Sequence, residues 1–180
     1  LRTLGAGVQD SKSLKEFQSA CQRMHSAYFT ANHGLVLYNE KQKSSDGYNE
    51  ADYQELYDEQ GTLLSRLPNW FIEQGLKFDG PISQSIALGI LGTMYMSWEV
   101  IYRSRIAKEL NANPDSIKSD IIGDMRLVRN IIEHRLHVTD KDIAKLKEID
   151  WLEPGLILLR SSDMAKILAR VNSMKIRIEQ

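Results

Sequence analysis

The chain has 180 residues and a mass of 20.6 kDa, which allows one ordinary domain or two very small ones. Hydrophobic residues make up 42% and charged residues 26%, a composition that excludes a disordered or collagen-like chain. The formal net charge of −1 excludes a broadly basic nucleic-acid coat. The first ninety residues carry 8 Lys and Arg against 11 Asp and Glu, and the second ninety carry 15 against 13. An anion site is therefore expected in the second half.

Cysteine usage and hydropathy predict a cytoplasmic protein that does not enter a membrane. The single cysteine, Cys21, excludes an internal disulfide, fits a reducing compartment and is expected to be buried as a small apolar residue. The longest apolar stretch, residues 85–98, is interrupted by Gly89 and Gly92 and falls short of the roughly 20 residues that a membrane helix needs. The chain does not begin with a basic and then apolar leader.

The first half of the chain is predicted to be helical with polar interruptions. Apolar residues at helical spacing predict a helix from Ser11 or Ser13 to about Asn39, followed by a polar loop over residues 41–49. A second helix is predicted over residues 50–66, and Pro68 ends it. A short apolar segment then runs to a turn at Asp79-Gly80-Pro81.

The second half is predicted to hold the longest buried helix and the most informative one. A long helix is expected from Ile82 to Leu110, buried at its start and amphipathic at its end. The next helix begins near Ser119 and Asp120, which are both suitable caps, and runs to about Leu136.

Three shorter elements complete the predicted fold. They are a helix over residues 140–149, an extended segment over residues 156–159, and a last helix from residue 161 to about residue 174. The fold class is therefore predicted to be all-α, with at most one short strand or hairpin near residues 152–160.

Residues 120–137 (DIIGDMRLVRNIIEHRLH) form a helix with two contrasting faces. At about 100° per residue, one face is apolar and is expected to face the core; it carries Ile121, Met125, Val128, Ile131, Ile132 and Leu136. The opposite face carries a polar stripe with Arg129 and His134 at its edges; the stripe consists of Arg126, Asn130, Glu133 and His137. So many donors on one face are poorly suited to packing but can bind a phosphate.

The run Arg129-Asn130-Ile131-Ile132-Glu133-His134 resembles the R-[polar]-x3-H motif of the HEPN superfamily. HEPN domains are all-α nucleotide-binding and ribonuclease domains common in prokaryotic toxins and defence systems. Flanking residues resemble HEPN-like proteins too, namely Trp98-Glu99, Tyr102-Arg103, Ser119-Asp120 and Gly123-Asp124-Met125-Arg126. The resemblance covers about residues 94–160, and it departs at residues 135–138, where related sequences often turn at a small or glycine-containing loop.

The resemblance implies a HEPN-like helical bundle with long antiparallel helices. It implies one domain over residues 1–180, in which the motif lies in residues 82–160. Residues 11–78 would belong to the same bundle or form a family-specific extension. Two copies are expected to pair as a homodimer, with the two motif helices facing each other across a composite site.

The activity implied by the resemblance is that of a metal-independent endoribonuclease that needs no cofactor. His134 would act as general acid or base, Arg129 would stabilise charge on the phosphorane, and Asn130 would orient the phosphate or the imidazole. Residues expected to assist are Arg126, Glu133 and His137 in substrate binding, and Glu99 and Arg103 in orienting the motif arginine. RNA is the expected substrate, and a cognate antitoxin or a defence-system protein is a possible partner.

Plainer interpretations of the same residues stay open. Arg129 with Glu133, and Glu99 with Arg103, fit ordinary ion pairs one helical turn apart. Zinc could be held by His134, His137 and Glu133, although a catalytic zinc needs a third well-placed ligand. Tyr95, Trp98 and Tyr102 fit core or dimer-interface positions. Asp120 and Asp124 fit the start of a helix, where negative charge complements the helix dipole. The whole protein could also be a non-catalytic HEPN-like module that binds a nucleotide, RNA or a partner protein, or a structural adaptor.

Overall fold

A computed structural model of the protein describes residues 11–179. About 60% of these residues are helical and 11% lie in strands, so the prediction of a mainly helical protein is confirmed. Among the described residues, no helix combines the length and the apolar character that crossing a membrane requires.

The long helices lie close to their predicted positions. The helices are α1 (Lys12–Lys43), α2 (Asn69–Gly75), α3 (Pro81–Ser97), α4 (Arg103–Glu109), α5 (Asp120–His134), α6 (Asp140–Ile143) and α7 (Ser161–Asn172). Helix α6 is shorter than the helix predicted over residues 140–149, and α2 forms where only a short apolar segment was predicted. A π-helical segment, Trp98–Tyr102, joins α3 to α4 without a break, so the predicted long helix is present with one wider turn inside it. A short 3-10 turn, Pro114–Ser116, follows α4.

The strands form three separate antiparallel pairs. They are β1 (Tyr53–Tyr57), β2 (Leu63–Pro68), β3 (Ile117–Lys118), β4 (His137–Val138), β5 (Gly155–Leu156) and β6 (Arg177–Ile178). Strand β1 pairs with β2, β3 with β6 and β4 with β5. The short strand predicted near residues 152–160 is present as β5, although it includes only Leu156 of the extended segment predicted over residues 156–159. The predicted limit of one short strand or hairpin is wrong.

The predicted helix over residues 50–66 is wrong, because this segment is the β1–β2 hairpin. The chain reverses at residues 58–61, where the Asp58 carboxylate accepts hydrogen bonds from the backbone N–H groups of Gln60 and Thr62. Gly61 adopts φ +82, a left-handed conformation that glycine allows and a helix interior does not. The aromatic and leucine residues that fit a helical period also suit strands, so the turn decides the structure.

The chain divides into two compact units. The smaller unit covers residues 28–86 and contains the β1–β2 hairpin, α2 and parts of α1 and α3. Within it, Lys43 at the end of α1 forms an ion pair with Glu73 of α2. Many apolar side chains of its hairpin and α2 are about half exposed, among them Tyr53, Leu56, Tyr57, Leu64, Trp70 and Phe71.

The larger unit comprises residues 11–27 and 87–179 of the described chain, and it contains the motif helix. Its core forms where α1 meets the π-helical segment, with the Phe17 ring packed edge-on against Trp98 at 5.3 Å between centroids. The start of α1 is fixed by the hydroxyls of Ser11 and Ser13, which both donate hydrogen bonds to the Glu109 carboxylate at the end of α4.

Cys21 is fully buried in this core, as expected. Burial raises the pKa of its thiol to about 12, so the sulfur stays protonated and acts as an apolar residue.

Candidate functional site

The candidate site lies on helix α5, whose apolar face enters the core of the larger unit. Four of the six residues predicted for that face are buried, namely Ile121, Met125, Val128 and Ile131. Ile132 is half-buried. Leu136 is 45% exposed, so its predicted place in the core is wrong.

Helix α5 ends at His134, two residues earlier than predicted, because the chain turns sharply after it. The carbonyl of Ile131 accepts hydrogen bonds from the backbone N–H groups of both Arg135 and Leu136. Leu136 adopts φ +54, the left-handed conformation that commonly ends helices at glycine. His137 therefore lies in β4 and outside the helical stripe in which the sequence placed it.

The motif side chains are accessible at the carboxyl-terminal end of α5. Asn130, Glu133 and His134 are exposed, and the Arg129 side chain keeps 30% of its surface accessible. No described residue donates to or accepts from the Asn130 carboxamide or the His134 imidazole. These groups are therefore available to a ligand or to a second protein surface.

Arg129 is held in place by two neighbours. Its guanidinium lies 2.6 Å from the Glu133 carboxylate, which is the pairing that the plainer interpretation predicts. It also lies 5.6 Å from the centroid of the Tyr95 ring, within the range of a cation–π contact. Sequence spacing could not indicate Tyr95 as a neighbour of Arg129, because the tyrosine lies on α3.

Glu99 and Arg103 form an ion pair with each other at 2.9 Å. The remaining donors of Arg103 bind the Pro114 carbonyl at 2.7 Å and the Asp115 carboxylate at 3.2 Å. This guanidinium therefore ties the π-helical segment to the 3-10 turn. Its expected role in orienting Arg129 stays a prediction, because no direct contact links the two residues.

Arg126 is exposed on the same helix, one turn before Asn130. No carboxylate of the described chain forms an ion pair with it. Its positive charge is therefore uncompensated next to the motif, as an anion-binding role requires.

The two aspartates of α5 are structural. One oxygen of Asp124 accepts hydrogen bonds from the backbone N–H groups of residues 147, 148 and 149, at 2.8, 2.6 and 2.9 Å. Asp120 forms a two-pronged ion pair with Arg177 and a second pair with Lys147 at 2.9 Å. These bonds, with that of Arg177 contributing most, hold the pKa of the Asp120 carboxyl well below its usual range.

The predicted zinc alternative is not formed by the described residues, in which no three His, Cys, Asp or Glu side chains are grouped to hold a metal ion. His134 ends a helix and His137 lies in a strand, so the spacing that a continuous helix would have given them is lost.

No protein-family model, curated protein or solved structure matches this chain. The likeness to HEPN domains therefore depends on the motif and its flanking residues, and function has to be argued from the geometry of the site.

Proposed function

We propose that the protein is a metal-independent endoribonuclease of the toxin or antiviral-defence type, acting in the cytoplasm through the exposed end of α5. The observation that carries the proposal is the grouping of Arg129, Asn130 and His134 on one accessible helix end. Arg126, which has no ion-pair partner among the described residues, lies one helical turn before Asn130.

The proposed reaction uses the 2′-hydroxyl of RNA as its own nucleophile. The 2′-oxygen attacks the adjacent phosphorus and loses its proton to a base. The bond from phosphorus to the 5′-oxygen then breaks, and that oxygen leaves as a 5′-hydroxyl after accepting a proton. The products are a 2′,3′-cyclic phosphate and a 5′-hydroxyl end.

The side chains fit the demands of this reaction. His134 supplies a proton acceptor or donor, since imidazole is the side chain that ordinarily titrates near neutral pH. Arg129 stabilises the extra negative charge on the phosphorane oxygens. Asn130 orients the phosphate through its carboxamide. Glu133 restrains the Arg129 guanidinium through their 2.6 Å ion pair.

A homodimer supplies what one chain lacks. The reaction needs both a base and an acid, and one α5 helix presents a single imidazole at its end. Two α5 helices facing each other across a two-fold axis would provide two histidines and two arginines around one phosphate. The dimer is therefore part of the proposal.

The alternative is a HEPN-like module that binds RNA, a nucleotide or a partner protein without catalysis. One observation favours it: none of the described residues orients the His134 imidazole by a hydrogen bond, whereas a third group usually holds a catalytic base in position.

Cleavage of transfer RNA in excess EDTA tests the proposal. The comparison uses wild type, His134→Ala and a matched control, His33→Ala, which changes an exposed histidine of α1. We expect cleavage by wild type and by the His33 variant, and a loss of at least about 100-fold in the His134 variant. All three should melt at similar temperatures.

An intact wild-type dimer that binds RNA without cleaving it would overturn the ribonuclease proposal and leave the binding module. Equal cleavage by wild type and His134→Ala would remove His134 from the reaction.

A further inference from the structure

A small cleft lies beside the motif, between the end of α3 and the start of α5. Tyr95 and Glu99 line one wall, and Lys118, Ser119 and Arg126 line the other. The π-helical segment forms part of this cleft, and such wide turns often occur at functional sites. The cleft adjoins the candidate site, because the ring of Tyr95 also contacts Arg129.

Two hydroxyl groups on largely buried side chains line the cleft without a hydrogen-bond partner among the described residues. Tyr95 and Ser119 are each only 7% exposed, and no described residue hydrogen-bonds either hydroxyl. Neither hydroxyl oxygen is shut off from solvent, so a ligand that enters the cleft can reach both. An acceptor inside the cleft would satisfy both groups.

Ser119 is unusual for its position. It is the N-cap residue of α5 and has the extended backbone of a cap (φ −147, ψ 140), yet its side chain makes no capping hydrogen bond. A serine in this position ordinarily satisfies one of the free N–H groups of the first turn. The N–H groups of the first turn of α5 are therefore not capped by this side chain, and the helix dipole there favours an anion.

The charges around the cleft leave a positive excess. Among the described residues, neither Lys118 nor Arg126 has a carboxylate partner. The acidic groups nearby are already neutralised, since Glu99 pairs with Arg103 and Asp120 pairs with Arg177 and Lys147.

Tyr95 is suited to donate a hydrogen bond to an anion. Burial, followed by the nearby Glu99 carboxylate, raises the pKa of its hydroxyl above the ordinary value. The proton therefore stays on the oxygen throughout the working range of pH.

The volume of the cleft limits what it can hold. At about 110 Å³ it is well below the roughly 300–1,000 Å³ of sites for whole small molecules. Its size and its donors suit a small anionic group such as one tetrahedral phosphate.

We infer that this cleft binds a single phosphate group, which in the proposed ribonuclease is an RNA phosphate neighbouring the one that is cleaved. The hydroxyls of Tyr95 and Ser119 donate to its oxygens, and Lys118 and Arg126 neutralise its charge. Because Tyr95 also contacts Arg129, a phosphate in the cleft fixes the RNA beside the motif. The inference rests on the proposed function for its source of phosphate, since free phosphate offers the same chemistry.

Binding to an uncleavable ligand tests the cleft separately from catalysis. The probe is a short, fully 2′-O-methylated RNA, which keeps its phosphates and lacks the attacking hydroxyl; inorganic phosphate is the second probe. The variants are Tyr95→Phe and Ser119→Ala, with Tyr102→Phe as the matched control, since Tyr102 packs on Phe17 at 5.5 Å and lies outside the cleft lining.

We expect Tyr95→Phe and Ser119→Ala each to weaken oligonucleotide binding about 5-fold or more, with Tyr102→Phe equal to wild type. Arg126→Gln should reduce by about one the slope of log affinity against log salt. Binding of inorganic phosphate alone, weakened by the same variants, would assign the cleft to free phosphate.

Equal binding of both probes by wild type and folded Tyr95→Phe would overturn the inference, and so would a wild type that binds neither. A wild type that binds the oligonucleotide through Tyr95 but cleaves no RNA would retain the cleft and refute only the ribonuclease.

Discussion

The two ends of helix α5 both carry charged residues, but the structure uses them differently. At the amino-terminal end, Asp120 and Asp124 are held by partners from residues 147–149 and 177. At the carboxyl-terminal end, Asn130 and His134 are exposed and have no hydrogen-bond partner among the described residues. Charges that stabilise the fold are thus separated from groups free to meet a ligand, although both lie on one helix.

The comparison teaches how to distinguish a structural polar residue from a candidate functional one. A polar residue with a structural role uses its hydrogen-bonding groups within the protein. Asp124, for example, accepts hydrogen bonds from three backbone N–H groups. A candidate functional residue such as His134 is accessible and leaves its hydrogen-bonding capacity unused. Substitutions at the first end should therefore reduce stability, and substitutions at the second should reduce activity.

The largest effect on stability is expected for Asp124→Ala. The change leaves three backbone N–H groups without their acceptor, and we expect the free energy of unfolding to fall by about 3 kcal/mol. Urea denaturation at pH 7 measures it, with the exposed Asp150→Ala as a control that changes stability by less than about 0.5 kcal/mol. An Asp124 variant as stable as the control would contradict a structural role for the amino-terminal end of α5.

A smaller and pH-dependent effect is expected for Asp120→Asn. Because Arg177 and Lys147 hold the pKa of Asp120 well below its usual range, its stabilisation is complete above about pH 4 and is lost as the pH falls further. At pH 7 the variant should be less stable by about 1 kcal/mol. In the same denaturation experiment at pH 3, the difference in stability between wild type and Asp120→Asn should be smaller. An unchanged difference would contradict a stabilising role for the ionised Asp120 carboxylate.

The smallest effect is expected just past the other end of α5, and it has the opposite sign. Leu136 adopts φ +54, which costs a leucine roughly 1–2 kcal/mol, whereas asparagine tolerates the left-handed region better. Leu136→Asn should raise the free energy of unfolding by about 0.5–1 kcal/mol and leave RNA cleavage unchanged. Thermal unfolding measures the gain, and a loss of stability would show that the half-exposed leucine contributes packing that outweighs its strain.

The amino-acid sequence predicts the long helices of the larger unit well, because their apolar residues recur at a strong helical period. The same argument fails for residues 50–66, where tyrosines and leucines fit both a helix and a strand. Asp58 and Gly61 specify the turn, and this local signal separates the two structures.

The candidate site is less predictable, because its geometry depends on residues far apart in the chain. Asp124 binds residues 23 to 25 positions later, and Tyr95 reaches Arg129 from another helix. The sequence did not predict the residue at which α5 ends, and the reason is different. Leu136 continues the apolar period, although it occupies a turn position where glycine or asparagine would have been the expected signal.

The most direct test of the central claim replaces one 2′-hydroxyl at a mapped cleavage point of an RNA substrate with hydrogen. The account predicts that wild type, in excess EDTA, no longer cleaves at that position, and that the unmodified RNA yields a 2′,3′-cyclic phosphate and a 5′-hydroxyl. Continued cleavage at the deoxy position, or a 5′-phosphate on the product, would contradict the account.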